Sequence, residues 1–198
     1  MKVNIFLPHS FNYQEKADFT VGVDYGAYLL AKSKIKMDVA IGDFDSTSAK
    51  EFKEVLKWSK KIVKLKVEKD DSDSEAAIKY VQDLGYMDIN LIGDIGSRLD
   101  HFLLNCRLVE KYNITYILES GKIFNLKKGS HKIKNDYQVL SFFTSSKAHF
   151  SVTNVKYEIK DLHITYFDTF LGSNKITKDY AKVEVVSGSV NVILSNEE

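Results

Sequence analysis

Apolar, β-rich runs alternate with helical patterns from Lys2 to about Ser120, and this alternation constrains the fold more than any other feature of the chain. Such an order is typical of βαβ units, which build a mostly parallel sheet. The predicted strands are 2–7, 19–23, 37–41, 61–65, 87–92 and 114–118. The predicted helices are 27–33, 49–58, 75–84 and 100–111. We therefore predict an α/β fold in which residues 1–120 form a Rossmann-like domain.

The pattern changes after about Ser120 to short alternating strands separated by Gly, Asn, Asp and Ser. These strands are predicted at 138–144, 149–155, 162–167, 182–186 and 190–194. Regularly spaced short strands are typical of an all-β domain. The sequence therefore predicts that residues 121–198 form a small β-sandwich.

Charge and cysteine content narrow the choice of partners and chemistry. With 28 basic and 27 acidic side chains the net charge is only +1, so no electrostatic footprint for nucleic acid or an anionic membrane stands out. No apolar run reaches the length of a signal peptide or a membrane span, and we expect a soluble, cytoplasmic chain. The single cysteine, Cys106, cannot form an internal disulfide, and its predicted helix face favours core packing over a nucleophilic role.

Four short polar segments, 22–27, 41–46, 69–75 and 93–101, follow predicted strands. In an open α/β sheet, ligands bind beyond the carboxyl ends of the strands, so these segments are expected to converge on one site. Clustered carboxylates with one arginine suggest a magnesium-bound polyphosphate as the ligand.

Asp43 and Asp45 form the first acidic pair. In an extended segment, side chains two residues apart project to the same side, where they could hold a hard cation. The alternative is an Asx-turn in which Asp45 or Ser46 caps the following helix.

A second acidic cluster, Asp70, Asp71 and Asp73, precedes Glu75 at a predicted helix start. Ser72 followed three residues later by Glu75 is typical of a helix N-terminus. Capping explains one carboxylate but not three, so we expect at least one of the aspartates to contact a cation. Lys69 could face phosphate or could be an ordinary solvated side chain.

Arg98 supplies the best bidentate phosphate ligand in these segments. On the helix that follows, His101 and Asn105 are four residues apart and share a face directed back toward Arg98. Asp100 could instead cap this helix, and His101 could be a core histidine. The earlier turn at Asp24 and Gly26 could offer backbone amides to an anion or could serve geometry alone.

The four segments, in this order, resemble the thiamine pyrophosphokinase family. The family pattern is matched by Val23-Asp24-Tyr25-Gly26-Ala27, by Ile41 to Ser46, by Lys69 to Ala77 and by Gly96 to Asn105. Ser173-Asn174 matches a further family motif near the C-terminus. The resemblance therefore extends over almost the whole chain.

The resemblance implies an N-terminal domain that holds ATP and magnesium, a C-terminal domain that binds thiamine, and a homodimer with thiamine where the subunits meet. The family reaction transfers a pyrophosphoryl group from ATP to thiamine, giving thiamine diphosphate and AMP. The resemblance assigns the catalytic carboxylates to Asp43, Asp45, Asp70 and Asp73, with Asp43, Asp45 and Asp73 as magnesium ligands. It assigns ATP binding to Asp24, Gly26, Lys69, Arg98, Asp100, His101 and Asn105, and thiamine binding to Ser173 and Asn174.

Three other functions would use a similar phosphate site. One is a pyrophosphokinase for another hydroxymethyl heterocycle such as a pterin. A second is a metal-dependent phosphohydrolase, which would release phosphate without an acceptor. A third is a non-catalytic nucleotide or thiamine sensor, against which the joint presence of Asp43, Asp45, Asp70 and Asp73 argues.

Overall fold

A computed structural model describes residues 1–66, 68 and 70–197 of the chain. The chain divides into two compact units, Met1–Glu119 and Ser120–Glu198. The strands of the first unit are β1 (Lys2–Phe6), β2 (Phe19–Val23), β3 (Met37–Gly42), β4 (Ser59–Lys64), β5 (Asp88–Ile92) and β6 (Thr115–Leu118). Its helices are α1 (Tyr25–Lys32), α2 (Ala49–Trp58), α3 (Asp73–Asp83) and α4 (Leu99–Tyr112).

The six strands of the first unit pair in the order β6-β5-β1-β2-β3-β4. Every pairing among them is parallel, as the βαβ pattern of the sequence predicts. The chain runs outward from β1 in one direction through β2, β3 and β4, and then returns to the other side with β5 and β6. The order therefore reverses at β1, and the crevice beyond the carboxyl ends of β1 and β5 is where this kind of sheet binds ligands.

Strands β1, β3 and β5 are almost continuously buried, which explains their apolar runs, whereas the edge strand β4 has no fully buried residue. Val3, Ile5, Val21, Ile41 and Leu91 have no exposed surface. A parallel sheet covered by helices on both faces requires such runs. The four helices are 8 to 14 residues long, and within the described ranges none is both long and apolar enough to cross a membrane.

The second unit is antiparallel. Its strands are β7 (Gly121–Lys134), β8 (Val139–Phe143), β9 (Lys147–Thr153), β10 (Ile159–Thr165) and β11 (Tyr180–Ser195). The long strand β11 pairs along its length with β7, while its first half also pairs with β9 and its second half with β8. The change of partner falls at a register shift between Val185 and Ser189, where Gly188 has a φ of 73°. Buried side chains from all five strands form the core of this unit.

Two strand predictions in the second unit are wrong. Strand β7 was not predicted, because lysines interrupt the apolar alternation of residues 121–134. The segments 182–186 and 190–194 were predicted as separate strands, but they belong to the single strand β11. A positive φ at Gly188 bends the strand without ending it, so the glycine marks a bulge and not a turn. The coarser expectation of a mixed α/β chain with a C-terminal strand region is confirmed.

Candidate active site

A cavity of about 560 Å³ lies in the first unit, beyond the carboxyl ends of its central strands. Residues from all four polar segments of the sequence line it, although these segments are far apart along the chain. The lining residues are Leu7, Pro8, His9, Asp24, Tyr25, Asp43, Asp45, Ser46, Asp73, Ser74, Asp94, Ile95, Arg98, His101, Phe102 and Asn105. The cavity therefore joins the strand ends that the sequence analysis selected.

Asp24 is held at the end of β2 by its own backbone and by its carboxylate. Its amide donates to the carbonyl of Ile41 at 2.9 Å, and its Oδ1 accepts from the amide of Phe44 at 3.3 Å. A Cβ at Gly42 would lie 1.8 Å from that Oδ1, so the carboxylate occupies space that only a glycine at position 42 leaves open. Strand β3 thus fixes the side chain that follows β2.

Burial, together with the hydrogen bond and the negative charge of Asp73, raises the pKa of Asp24 to about 7. The amide of Phe44 acts against this rise because it stabilises the charged form. A carboxyl group can donate a hydrogen bond to a carboxylate only when it is protonated, so this bond favours the protonated form of Asp24. A bound cation would favour loss of that proton.

Asp43 and Asp45 follow β3 in a local turn. The amide of Asp45 donates to Oδ1 of Asp43 at 3.0 Å, which is an Asx-turn. Asp45 itself is exposed, whereas Asp43 is partly buried. The alternative in which Asp45 or Ser46 caps α2 is wrong, since Ser48 accepts from the amide of Glu51 and completes a capping box. Asp43 and Asp45 therefore do not cap α2, and both line the cavity.

The N-terminus of α3 brings Asp73 and Ser74 to the cavity. Ser72 caps this helix by accepting from the amide of Glu75 at 3.2 Å, as predicted. The carboxylate of Glu75 instead accepts from Lys111 on α4 at 2.6 Å, which ties α3 to α4 and lowers the pKa of Glu75. The Ser72 cap and the ion pair between Glu75 and Lys111 fix the start of α3 and therefore the position of Asp73.

The other members of this acidic segment lie elsewhere. Asp70 is exposed and is not among the lining residues. Asp71 accepts from Lys79 at 2.7 Å, so its charge has a structural partner. Lys69, the predicted phosphate contact, lies outside the described residues.

Arg98 and the first turns of α4 form the opposite wall. Arg98 donates to both carboxylate oxygens of Asp100, at 2.9 and 2.6 Å. This pairing holds the pKa of Asp100 well below its usual range and orients the guanidinium. Asp100 is not a lining residue, and the N-cap residue of α4 is Arg98 and not Asp100.

His101 and Asn105 both line the cavity from one face of α4, as their spacing predicts. Asn105 is only 6% exposed, so its amide is a fixed group and not a mobile surface side chain. Gly26 lies on α1 behind the cavity, where a Cβ would come within 2.4 Å of the carbonyl oxygen of Phe6. This contact lets α1 approach the end of β1 closely.

Several lining residues received no role from the sequence. His9, which follows β1, lies outside the four polar segments, whereas Asp94, which follows β5, and Tyr25, which begins α1, lie within them. The signal that could have found His9 and Asp94 is their place immediately after central strands, the same signal that selected Asp24 and Asp43. Proline before His9 and the lack of a nearby glycine made the β1 turn less conspicuous.

Ser173 and Asn174 lie in the second unit, next to a separate cavity of about 410 Å³. Asn174 lines that cavity but is only 5% exposed. Its Oδ1 accepts from the amides of Tyr157 and Lys175, and its Nδ2 donates to the carbonyl of Tyr157 at 2.8 Å. The side chain of Asn174 is therefore committed to holding the Tyr157 segment. Ser173 is exposed and has a φ of 59°.

The donor set of the first cavity suits magnesium but does not enclose it. Within the residues that the structure describes, no three His, Cys, Asp or Glu side chains are grouped closely enough to hold a metal ion on their own. Magnesium keeps several waters and is usually bound by one or two carboxylates together with substrate phosphates. Asp43, Asp45 and Asp73 offer oxygen ligands of this kind.

Carboxylates, an arginine and backbone amides gathered at the strand ends of a parallel sheet define an α/β protein of the polyphosphate-binding, phosphotransfer class. A sequence profile described as "Thiamin pyrophosphokinase, catalytic domain" matches residues 11–118. This match spans more than half of the 198 residues and contains the greater part of the cavity wall. The chain therefore belongs to the thiamin pyrophosphokinase family, and the resemblance found in the sequence is confirmed.

Whole-chain comparisons agree with this family. The chain is 26% identical over 200 residues to the thiamine pyrophosphokinase of Bacillus subtilis, covering 96% of this chain and 94% of the relative. It is similar to the crystal structure of thiamine pyrophosphokinase from Bacillus subtilis, with a TM-score of 0.90, 25% identity and full coverage of both chains. It is also similar to the thiamin pyrophosphokinase structure from Geobacillus thermodenitrificans, with a TM-score of 0.85 and 25% identity, covering 100% of this chain and 99% of the other.

Proposed function

We propose that this chain is a working thiamine pyrophosphokinase, which transfers the pyrophosphoryl group of ATP to the hydroxyl of thiamine and releases AMP. The observation that carries the proposal is the convergence of Asp24, Asp43, Asp73 and Arg98, from four separate segments, on one cavity of a family member. Phosphoryl-type transfer needs positioning and charge neutralisation more than covalent work by the protein. The cavity supplies carboxylates and an arginine that could position the phosphates and neutralise their charge.

The division of labour that we propose follows the two units. Residues 1–120 act as a Rossmann-like domain that binds ATP and magnesium, which its strand order and cavity support. Residues 121–198 act as a β-sandwich that binds thiamine and mediates dimerisation, which the second apolar core supports. The enzyme works in the cytoplasm, since its co-substrate is ATP, and it needs neither a nucleic-acid nor a membrane partner.

Asp43, Asp45 and Asp73 would hold magnesium in this scheme, and Asp70 would support them from the exposed side of the segment. Magnesium on the phosphates would neutralise the charge that develops as the pyrophosphoryl group leaves AMP. Asp24, hydrogen-bonded to Asp73, keeps that carboxylate in place. The Asx-turn of Asp43 fixes the second carboxylate before any ligand arrives.

ATP would contact the turn that Gly26 holds close to the end of β1, through Asp24, together with Lys69, Arg98, His101 and Asn105. Asp100 accepts from Nε and Nη2 of Arg98 and so orients the guanidinium, whose Nη1–Nη2 edge would remain to donate to phosphate oxygens. Asp100 thus acts through Arg98. Asn105, buried and fixed, orients one hydrogen-bonding edge of the nucleotide.

Thiamine would bind near Ser173 and Asn174 in a homodimer that completes its pocket. The cavity beside Asn174 also has Tyr157 and Phe170 in its lining, which provide flat apolar surface. Both side chains are exposed, at 59% and 63%. A second subunit that covers them would bury most of the flat acceptor, as a useful pocket requires.

The direct test is one incubation with ATP, magnesium and thiamine, resolved for nucleotides and thiamine esters. We expect AMP and thiamine diphosphate in equal amounts, with no product when thiamine or the cation is omitted. ADP with thiamine monophosphate would refute attack on the β-phosphorus. Phosphate release without thiamine would favour a phosphohydrolase, turnover only with a pterin would favour that acceptor, and ATP binding without turnover would favour a sensor.

The carboxylate roles are tested by Asp43→Asn and Asp73→Asn. Each change removes a charge that positions the metal but keeps a side chain of similar shape, so turnover should fall at least about a hundredfold with the fold intact. Asp83→Asn is the matched control, because Asp83 ends the same helix α3 and is exposed outside the cavity lining. Near-normal turnover of both test variants at saturating magnesium would show that these carboxylates are structural.

A further inference from the structure

The turns after β1 and β5 lie side by side at the point where the strand order reverses. The carbonyl of His9, in the first turn, accepts from the amide of Asp94, in the second, at 2.9 Å. The amide of Leu7 likewise donates to the carbonyl of Ile92 at 2.9 Å, so the ladder between the strands continues into the loops. The two loops are therefore joined before either reaches the cavity.

The ring of His9 lies directly against the backbone of Gly96. A Cβ at Gly96 would be 2.4 Å from Cδ2 and 2.6 Å from Nε2 of that ring. Gly96 has a φ of 60°, a conformation that glycine adopts without strain. The absence of a side chain at Gly96 thus serves both the turn and the contact with the imidazole.

This contact bears on Arg98, which is two residues beyond Gly96 and begins α4 as its N-cap residue. Residues 93–98 belong to no helix or strand, so their path depends on contacts of this kind. His9 and Arg98 both line the cavity, together with the carboxylates of Asp24, Asp43 and Asp73. A shift of the Gly96 turn would move the guanidinium relative to these carboxylates.

We propose that His9 is a positioning residue, whose ring holds the Gly96 turn so that Arg98 meets the polyphosphate of ATP. This inference rests on the proposed binding of ATP in the same cavity. The imidazole acts by its shape and position, through Arg98, and does no covalent work. The nucleotide affinity should therefore depend on the ring at position 9, whereas the affinity for thiamine should not.

The first experiment measures the Kd for ATP with magnesium by calorimetry, and the KM values by the AMP assay. His9→Ala should weaken ATP binding about tenfold or more, because the hydrogen bond from the charged Arg98 to phosphate would be misplaced. The KM for thiamine should be unchanged. His9→Phe keeps a ring at the contact and should retain most of the affinity. His163→Ala is the control, since His163 is an exposed histidine of the second unit and should bind ATP as the unchanged chain does.

The second experiment asks whether His9 acts through Arg98. In an Arg98→Ala background, His9→Ala should weaken ATP binding by less than about twofold, because residues that act as one unit are not additive. Gly96→Ala should also weaken binding, and less so when His9 is alanine, because the ring then no longer blocks the new Cβ.

The outcomes separate the two proposals. If the unchanged chain binds no ATP, the proposed function fails, and the inference fails with it. If the chain binds ATP but His9→Ala binds equally well, or if its effect adds fully to that of Arg98→Ala, only the inference fails. If His9→Phe is as weak as His9→Ala, the ring nitrogens contact the nucleotide directly and the positioning role is refuted.

Discussion

Replacing Gly42 with alanine should disable the cavity while leaving the fold largely intact. The new Cβ would lie 1.8 Å from Oδ1 of Asp24, whereas ordinary contact begins at 3.4 Å, so the oxygen must move by at least 1.6 Å, the difference between these two distances. The carboxylate can swing away because it ends a short side chain, but it then leaves the amide of Phe44 and the side chain of Asp73.

Misplacing a group of the active site by about 1 Å can cost about a hundredfold in rate. We therefore expect Gly42→Ala to lower the rate of AMP formation by at least about a hundredfold. The φ of 158° at Gly42 is also a conformation that alanine rarely adopts. The stability cost should therefore combine about 1 kcal/mol for the lost hydrogen bond with about 1–3 kcal/mol of backbone strain, which is roughly 4–16 °C in the unfolding midpoint of a chain of this size. The assays are AMP release with ATP, magnesium and thiamine, and thermal unfolding followed by circular dichroism.

Gly85→Ala provides the matched control. A Cβ at Gly85 meets nothing within 4 Å, but the φ of 89° is unfavourable for alanine. This variant should lose about 1 kcal/mol of stability and keep its turnover. If Gly42→Ala retained normal turnover, or if its midpoint fell by far more than the combined hydrogen-bond and strain cost, the argument that Gly42 serves the placement of Asp24 would be refuted.

Three further predictions follow from single contacts. Asn174→Ala should destabilise the chain by about 2–3 kcal/mol in urea unfolding, since it removes the buried bonds to Tyr157 and Lys175, and an unchanged midpoint would contradict this. Burial raises the pKa of the Cys106 thiol from 9.0 to about 11, so at pH 8 its thiolate is about a hundredfold scarcer than that of an unshifted thiol. Iodoacetamide should therefore label the native chain correspondingly slowly, with the rate rising until the pH passes about 11, and rapid labelling at pH 8 would disprove the shift. Ser48→Ala should cost about 1 kcal/mol in thermal unfolding by breaking the capping box with Glu51, while turnover stays normal.

The capping of α3 illustrates what local sequence predicts well. Ser72 caps the helix as expected, and the turn after α3 falls at Gly85, whose φ is positive. Side chains within a few residues of one another determine these features, so the chain needs no distant contact to express them. The bend in β11 shows the limit, because a glycine with a positive φ has the same sequence signature in a turn and in a bulge, and only its partners β7, β8 and β9 distinguish the two.

Some features of the candidate active site are likewise local in the sequence, and others depend on contacts between distant segments. The sequence by itself determined the parallel α/β organisation and most of the polar residues at the strand ends, because strand periodicity and residue chemistry are local. Tertiary structure alone decided that Asp24 and Asp73 share a hydrogen bond, that Gly42 leaves room for Asp24, and that Asn174 is committed to the Tyr157 backbone. It also brought His9 against Gly96, 87 positions later in the chain. These contacts depend on strand order and on close approach between distant segments, and neither is encoded in the spacing of residues along one segment.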